Sequence, residues 1–393
     1  MSTPASERDR LVAAAVDATG FEDFGEDTWQ EGLDLLLSGF SGEADLNDIG
    51  VAMVDAEITM YLSNRLEIIE WRRSHPDIAD VDIVRPVFIV GQPRTGTTIL
   101  YDLLAQDPTN RAPLTWEVDH PVPPPRPETY ETDDRIAVSK ASSDMADLII
   151  PGFQDFHPLG PLLAQECVRW TAGDFRSMIF PTQYHLPTYN RWLLHDADMA
   201  PAYRWHRTYL QHLQSGGVMA DRWLLKSPFH LWHLPALLRE YPDAIVIQTH
   251  RDPLKVIASV SALAAHLRRM ASDRSSIPEA AEQYVDDVFL GLDRGMEARA
   301  DGTLPADQVV DVQFTDFMAD PFATIGALYD RIGLELTTET EARMRAFLAE
   351  HPGDGGGGGT RYTFADTGLD ADDLRARSTA YQEHFGVLSE PVQ

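Results

Sequence analysis

The sequence predicts an α/β fold in which helices flank a parallel sheet. Three observations predict it. Arg85–Gly91 (RPVFIVG), Trp223–Pro228 (WLLKSP) and Ala244–Pro253 (AIVIQTHRDP) are short, continuous apolar runs, the pattern of strands buried on both faces. Segments of helical period lie between them, and strand–helix alternation is how a parallel sheet is connected. The first run closes on a glycine and the other two on a cation, at the sheet edge where ligands of open α/β folds gather.

In chain order, residues 1–80 read as an acidic helical extension. Its clearest element is Val51–Arg73, apolar at helical intervals and stopped near His75-Pro76. Strand Arg85–Gly91 follows, then a helix of about three turns over Thr95–Pro108. His120–Glu128 (HPVPPPRPE) is stiff and extended, because proline fixes φ and donates no hydrogen bond. Residues 145–215 form a helical, aromatic-rich insert: 11 of the chain's 36 Phe, Trp and Tyr fall within residues 151–210, twice their proportional share. Phe229–Pro242 supplies the crossover helix between the second and third strands, and Val309–Pro321 a fourth strand with its exit loop. A glycine-rich stretch, Gly353–Tyr362, precedes a last helix over Asp370–Val387. The expected division is an extension, 1–80, and one domain, 81–393, that contains the insert.

Composition narrows the function. With 32 Lys+Arg against 62 Asp+Glu, the formal charge is −30, which argues against nucleic acid or an anionic membrane as partner. A local basic pocket for a small anion is still compatible with it. The single cysteine, Cys167, excludes a disulfide framework and a multi-cysteine zinc site. No run approaches the roughly 18 apolar residues of a membrane span, so a soluble cytoplasmic protein is expected. Only three cations are lysines: Lys140, Lys226 and Lys255. Arginine cannot replace a compact ammonium at a tight site, so each surviving lysine is informative.

Gly91–Thr98 (GQPRTGTT) sits between strand and helix, where a phosphate-binding loop belongs. Against the pattern GxxxxGK[ST], Gly91, Gly96 and Thr98 fit, but Thr97 stands where the lysine should be. Kinase or ATPase chemistry thereby loses its central cation. The helix N-terminus still offers amides to an anion, and Arg94 offers a forked positive charge.

At these residues the sequence resembles the sulfotransferases that use 3′-phosphoadenylyl sulfate (PAPS), a P-loop-like family. Pro93-Arg94-Thr95-Gly96-Thr97-Thr98 matches the family's 5′-phosphosulfate loop, P-[RK]-[ST]-G-T-[ST]. Arg251 and Ser259, in RDPLKVIAS, match the arginine at a strand end and the serine eight residues on that hold the 3′-phosphate. Leu224–Leu231 (LLKSPFHL) is similar to the segment of one bacterial branch, akin to tyrosylprotein sulfotransferases, whose lysine is catalytic; here it is Lys226. Gln313–Pro321 is similar to the family's YEDLxxDP stretch, with Phe314 in place of tyrosine. Arg361–Asp370 is similar to that branch's RYxLxDxGLD signature. The resemblance covers about 300 residues from Arg85 onward. It implies PAPS as co-substrate, no metal, and a small hydroxyl acceptor lying against the aromatic insert. Thr95, Gly96, Thr97 and Thr98 would hold the phosphosulfate with Arg94; Arg251 and Ser259, joined by Gly359 and Arg361 from the glycine-rich stretch, would hold the 3′-phosphate.

Three residues compete as the base that takes the acceptor's proton. Glu117, in LTWE, lies near the position of the tyrosylprotein enzymes' catalytic glutamate, about two residues out of register. His230 follows Lys226 by four residues, where cytosolic sulfotransferases place a histidine two residues on. Glu166, with His157 behind it, comes from the insert. Glu117 is preferred. The rival functions are an ATP-dependent P-loop kinase and a non-catalytic nucleotide-binding protein.

Overall fold

The structure, a computed structural model, describes residues 4–149, 160–351 and 362–392. It falls into two units, each assembled from three chain segments. One comprises Met1–Ile83, Pro113–Met219 and His266–Ser275; the other Val84–Ala112, Ala220–Ala265 and Ser276–Gln393. The extension expected at 1–80 therefore belongs to the same unit as the aromatic insert, because their side chains share a core.

The second unit holds the sheet. Its strands are β1 (Val87–Gly91), β2 (Asn110–Arg111), β3 (Arg222–Lys226), β4 (Ile245–His250) and β5 (Val309–Gln313), in the order β2-β3-β1-β4-β5. All pairings are parallel. Ile89 pairs with Lys226 on one side and Ile247 on the other, and His250 pairs with Gln313. Every residue of β1 is buried, as its unbroken apolar run requires. From β1 the chain builds β2 and β3 on one side, then β4 and β5 on the other. The strand order thus reverses at β1, the place where open α/β sheets leave a ligand crevice at their C-terminal ends.

Three connections differ from the sequence reading. The helix after β1 is Thr97–Leu104, eight residues rather than three turns. It stops early because Asn110 Nδ2 caps the Leu104 carbonyl at 2.9 Å and Asp107 folds onto the Thr109 N–H at 2.9 Å. The same turn delivers β2, which is too short to leave a sequence pattern. The crossover begins as a 3-10 helix, Pro228–His233, and becomes α-helical only at Leu234–Glu240, where Pro235 can sit in the first turn. The exit from β5 is a helix, Phe314–Ala319, not a loop. Around the sheet, Leu254, Ile257, Tyr284, Val288, Leu292 and Tyr381 join in one buried cluster that carries helices Ile277–Ala300 and Ala371–Phe385. Each such fully buried side chain contributes roughly 1.5–3 kcal/mol.

The first unit is helical. Asp48–Ser74 starts under the Asn47 side chain, which accepts from Gly50 N at 2.8 Å, and it stops at His75-Pro76. Arg65 of this helix is buried, bonded to the carbonyls of Phe24, Glu26 and Gly173 and facing Asp174 at 3.5 Å. Asp174 takes Arg176 at 2.8 Å. The insert's rings are largely core: Phe180 meets Phe175, Tyr61 and Tyr189 at 5.9–6.2 Å. Among the described residues, no helix is long and apolar enough to cross a membrane.

Candidate functional site

The loop that follows β1 is shaped by two glycines. Gly91 has φ 133°, and a Cβ there would lie 2.3 Å from Thr249 Oγ1. Gly96, at φ 85°, is the N-cap of Thr97–Leu104, and Phe314 approaches within 3.0 Å of where its Cβ would stand. Between them Arg94 adopts φ 67°, an uncommon conformation for a residue with a side chain. Such strain concentrates where a backbone must present itself to a ligand. Thr95 ties the loop down: its hydroxyl donates to the Gln92 carbonyl at 2.6 Å and pairs with Thr249 Oγ1 at 2.6 Å. Gln92 in turn donates to the Val288 carbonyl at 2.9 Å. The buried Thr95 hydroxyl is thus spent on the scaffold, which leaves its N–H as its offering to an anion. No side chain caps the helix start at Gly96, so the orphan amides of the first turn carry the helix's positive end.

Cations meet this helix start from two strands. Arg94 Nε donates to Ser259 Oγ at 3.0 Å, and Arg251 Nη1 donates to the Arg94 carbonyl at 2.9 Å. Arg251 and Ser259, expected at the 3′-phosphate, and Arg94, expected at the phosphosulfate, are therefore one hydrogen-bonded group. The Arg251 guanidinium lies 3.9 Å over the Phe314 ring. Phenylalanine here thus gives up a hydroxyl and serves as a flat support between the loop glycine and the arginine. On the other side of β1, Lys226 is buried at the end of β3; its Nζ donates to Thr98 Oγ1 at 3.2 Å and sits 5.7 Å from the Tyr101 ring centre. Asp221, the nearest acid before it in the chain, lies beside Arg222 at 3.8 Å. First-turn amides, two guanidiniums and an ammonium, with two hydroxyls between them, make a donor-rich set suited to tetrahedral oxyanions. The residues present fit a phosphosulfate.

The Arg251 environment holds what the sequence reading missed. Its sequence neighbour Asp252 is not its partner. Asp252 is taken by Arg375, which reaches both its oxygens at 2.7 Å, and Arg251 instead receives Glu390: Nε to Oε1 at 2.8 Å, Nη2 to Oε2 at 3.1 Å. One residue earlier, His250 is held between Tyr381 Oη and Asp311 Oδ1, each at 2.9 Å, and stacks on Phe385 at 4.3 Å. Burial lowers the His250 pKa, partly opposed by its bond to Asp311. This chain, with Arg299 on Asp311, fixes the strand end that carries Arg251. Apart from Arg299 and Asp311, 12 residues apart, none of it was legible, because partners 61 to 139 residues apart leave no local pattern.

The base candidates are placed as follows. His230 is buried in the sheet unit, edge-on to Phe88 at 5.1 Å, and burial pushes its pKa down to about 3. It is a neutral ring at physiological pH. Glu117 belongs to the helical unit, fully buried in the short helix Thr115–Asp119. Its Oε1 accepts from Leu114 N at 2.6 Å and Tyr130 Oη at 3.0 Å. Glu166 is half-buried in the same unit, its N–H bonded to the Gln165 side chain at 2.8 Å. His157, Gly359 and Arg361 lie outside the described residues. The helical unit also contains a small cavity lined by Tyr61, Asn64, Asp119, Arg169, Trp205 and Tyr209. Beside it Glu57 accepts from Tyr61 at 3.3 Å and Tyr184 at 3.0 Å, and burial raises its pKa.

Known proteins resemble this chain over most of its length. The model of the sulfotransferase family matches residues 86–339. The sulfotransferase STF9 from Mycobacterium avium superposes with a TM-score of 0.87 at 29% identity, covering 97% of both chains. STF1 from Mycobacterium tuberculosis superposes with a TM-score of 0.83 at 32% identity, covering 95% of this chain and 98% of that one. The omega-hydroxy-beta-dihydromenaquinone-9 sulfotransferase Stf3 of Mycobacterium bovis is 26% identical over 269 residues, 68% of this chain and 67% of its own length. The structural likeness runs through residues 1–80 as well, where the sequence offered no motif. The chain belongs to the sulfotransferase family and is an enzyme of sulfuryl transfer.

Proposed function

We propose that this enzyme moves the sulfuryl group of PAPS to the hydroxyl of a small, apolar, lipid-like acceptor, leaving adenosine 3′,5′-bisphosphate. The observation that carries the donor is the hydrogen-bonded group of Arg94, Arg251 and Ser259 beside an uncapped helix start. PAPS, when bound, supplies the electrophilic sulfur on a phosphate leaving group.

Arg94, Thr98 and the N–H groups of Thr95–Thr98 hold the 5′-phosphosulfate; Arg251 and Ser259 hold the 3′-phosphate. Lys226 acts on the bond that breaks. As the acceptor oxygen bonds to sulfur, the sulfur–oxygen bond to the 5′-phosphate opens and negative charge grows on the bridging oxygen. A preorganised ammonium in a buried site stabilises that charge strongly. Glu117 takes the acceptor's proton. Its support is the sequence match, together with a buried carboxylate fixed by a backbone amide and a tyrosine. His230, neutral and of depressed basicity, is the weaker candidate. A kinase reading is disfavoured by Thr97, a buried threonine where a P-loop lysine would stand.

For the acceptor, the support is the relative named for omega-hydroxy-beta-dihydromenaquinone-9. Apolar clefts with few polar groups take such molecules. The test is a panel of hydroxylated acceptors (a prenylated quinol, a sterol, a simple phenol and a charged oligosaccharide) incubated with PAPS. Adenosine 3′,5′-bisphosphate release coupled to sulfation of the apolar members supports the reading. Turnover of the oligosaccharide alone would overturn it.

A further inference from the structure

Arg251 already has partners within its own chain. Its fork is filled by the Glu390 carboxylate, and the segment that carries Glu390 is fastened at several points. Glu390 N donates to Asp252 Oδ2 at 2.6 Å, and Arg375 Nη2 donates to the Glu390 carbonyl at 2.7 Å. Gln382 Nε2 reaches the Val387 carbonyl at 3.3 Å and Ser389 Oγ at 3.1 Å, and Val387 is buried in the hydrophobic cluster. Asp252 itself is fully buried and starts helix Pro253–Arg268 by accepting from Leu254 N at 3.0 Å. A backbone held this well aims one carboxylate at one guanidinium.

We propose that Glu390 is a specificity-determining residue: an internal anion that occupies Arg251 and yields it only to the 3′-phosphate of the nucleotide. This rests on the reading that Arg251 is the 3′-phosphate ligand. A guanidinium has five N–H donors in one plane. Here Nε and Nη2 go to Glu390 and one Nη1 donor goes to the Arg94 carbonyl. A phosphate binding in the same bidentate manner needs the edge that Glu390 holds. Were Glu390 to remain, a carboxylate and a dianion would share one cation at contact distance, which Coulomb repulsion opposes. The carboxylate therefore leaves as the phosphate arrives. Nucleotides without a 3′-phosphate bring no dianion to replace it and leave the pair closed. Glu390 thus lowers affinity for the 3′-phosphorylated nucleotide and prevents Arg251 from capturing other anions.

The test is calorimetric titration of wild type and Glu390→Gln with adenosine 3′,5′-bisphosphate and with adenosine 5′-monophosphate. Glutamine keeps the shape and removes the charge. A partly buried bidentate pair corresponds to roughly a three- to tenfold effect. The bisphosphate should bind Glu390→Gln three- to tenfold more tightly, with the monophosphate unchanged. Unchanged or weakened bisphosphate binding would overturn the proposal, since a carboxylate that stays to orient Arg251 gives that sign. Failure of the underlying reading is separately visible, as Arg251→Ala would then bind the bisphosphate as well as wild type.

Discussion

Replacing Lys226 by methionine removes one charge while keeping a side chain of similar length in a buried position. The ammonium it deletes touches Thr98 at 3.2 Å and is 1% exposed, so no solvent cation or water shell takes its place. Removing one preorganised donor from such a site costs about 2.7–4 kcal/mol in the transition state, a hundred- to a thousandfold in kcat. Nucleotide affinity should change by only a few fold, because Arg94, Arg251 and the loop amides are untouched. Lys226→Arg should not restore turnover, because a planar fork cannot occupy the place of a compact ammonium between Thr98 and Tyr101. The assay is transfer of labelled sulfuryl from PAPS to an accepted alcohol, with calorimetric titration of adenosine 3′,5′-bisphosphate and a thermal melt as controls. A Lys226→Met enzyme that folds, binds nucleotide and retains a tenth or more of its turnover would refute the assignment.

Arg251→Ala should weaken adenosine 3′,5′-bisphosphate by about tenfold or more, the worth of a charge-assisted bond, while adenosine 5′-phosphosulfate binds nearly as before; equal losses would move the 3′-phosphate elsewhere. Glu117→Gln should bind nucleotide normally and lose most of its turnover, whereas an active Glu117→Gln beside a dead Glu166→Gln or His230→Ala would name a different base. Gly91→Ala should cost roughly 2–4 kcal/mol in denaturant unfolding, because a Cβ would stand 2.3 Å from Thr249 Oγ1 at a φ of 133°. His212, buried and bonded to the Pro121 carbonyl at 2.9 Å, has its pKa lowered to about 4 by burial. Its folded value lies below the unfolded one, so its contribution is present above about pH 6.5 and lost as pH falls from there toward 4, at about 1.4 kcal/mol per pH unit. His212→Gln should flatten that limb of the stability curve, and an unchanged slope would show that another group dominates it.

The sheet was legible because its strands are buried on both faces and so read as unbroken apolar runs: Val87–Gly91 and Ile245–His250 fall within the runs predicted. The turn after β1 was legible because its signal is local: Gly91 and Gly96 bracket it, and both adopt positive φ. The approach of Arg251 and Ser259 to Arg94 follows from an eight-residue spacing across one helix start. What stayed hidden is non-local. Glu390 gives no sign in the sequence of lying on Arg251, and Phe314 reads as a lost hydroxyl until its ring is seen against the arginine. The grouping of residues 1–83 with 113–219 could not be read either, since Arg65 finds Asp174 across 109 residues through burial alone. Boundaries failed where side chains cap locally: Asn110 on Leu104 ended a helix that periodicity would have continued.

The most direct test of the account is calorimetry of the purified protein with adenosine 3′,5′-bisphosphate. The proposed anion site of Arg94, Arg251, Lys226 and the helix start predicts saturable binding to one site, weakened about tenfold or more by Arg251→Ala. No detectable binding at millimolar nucleotide would contradict it.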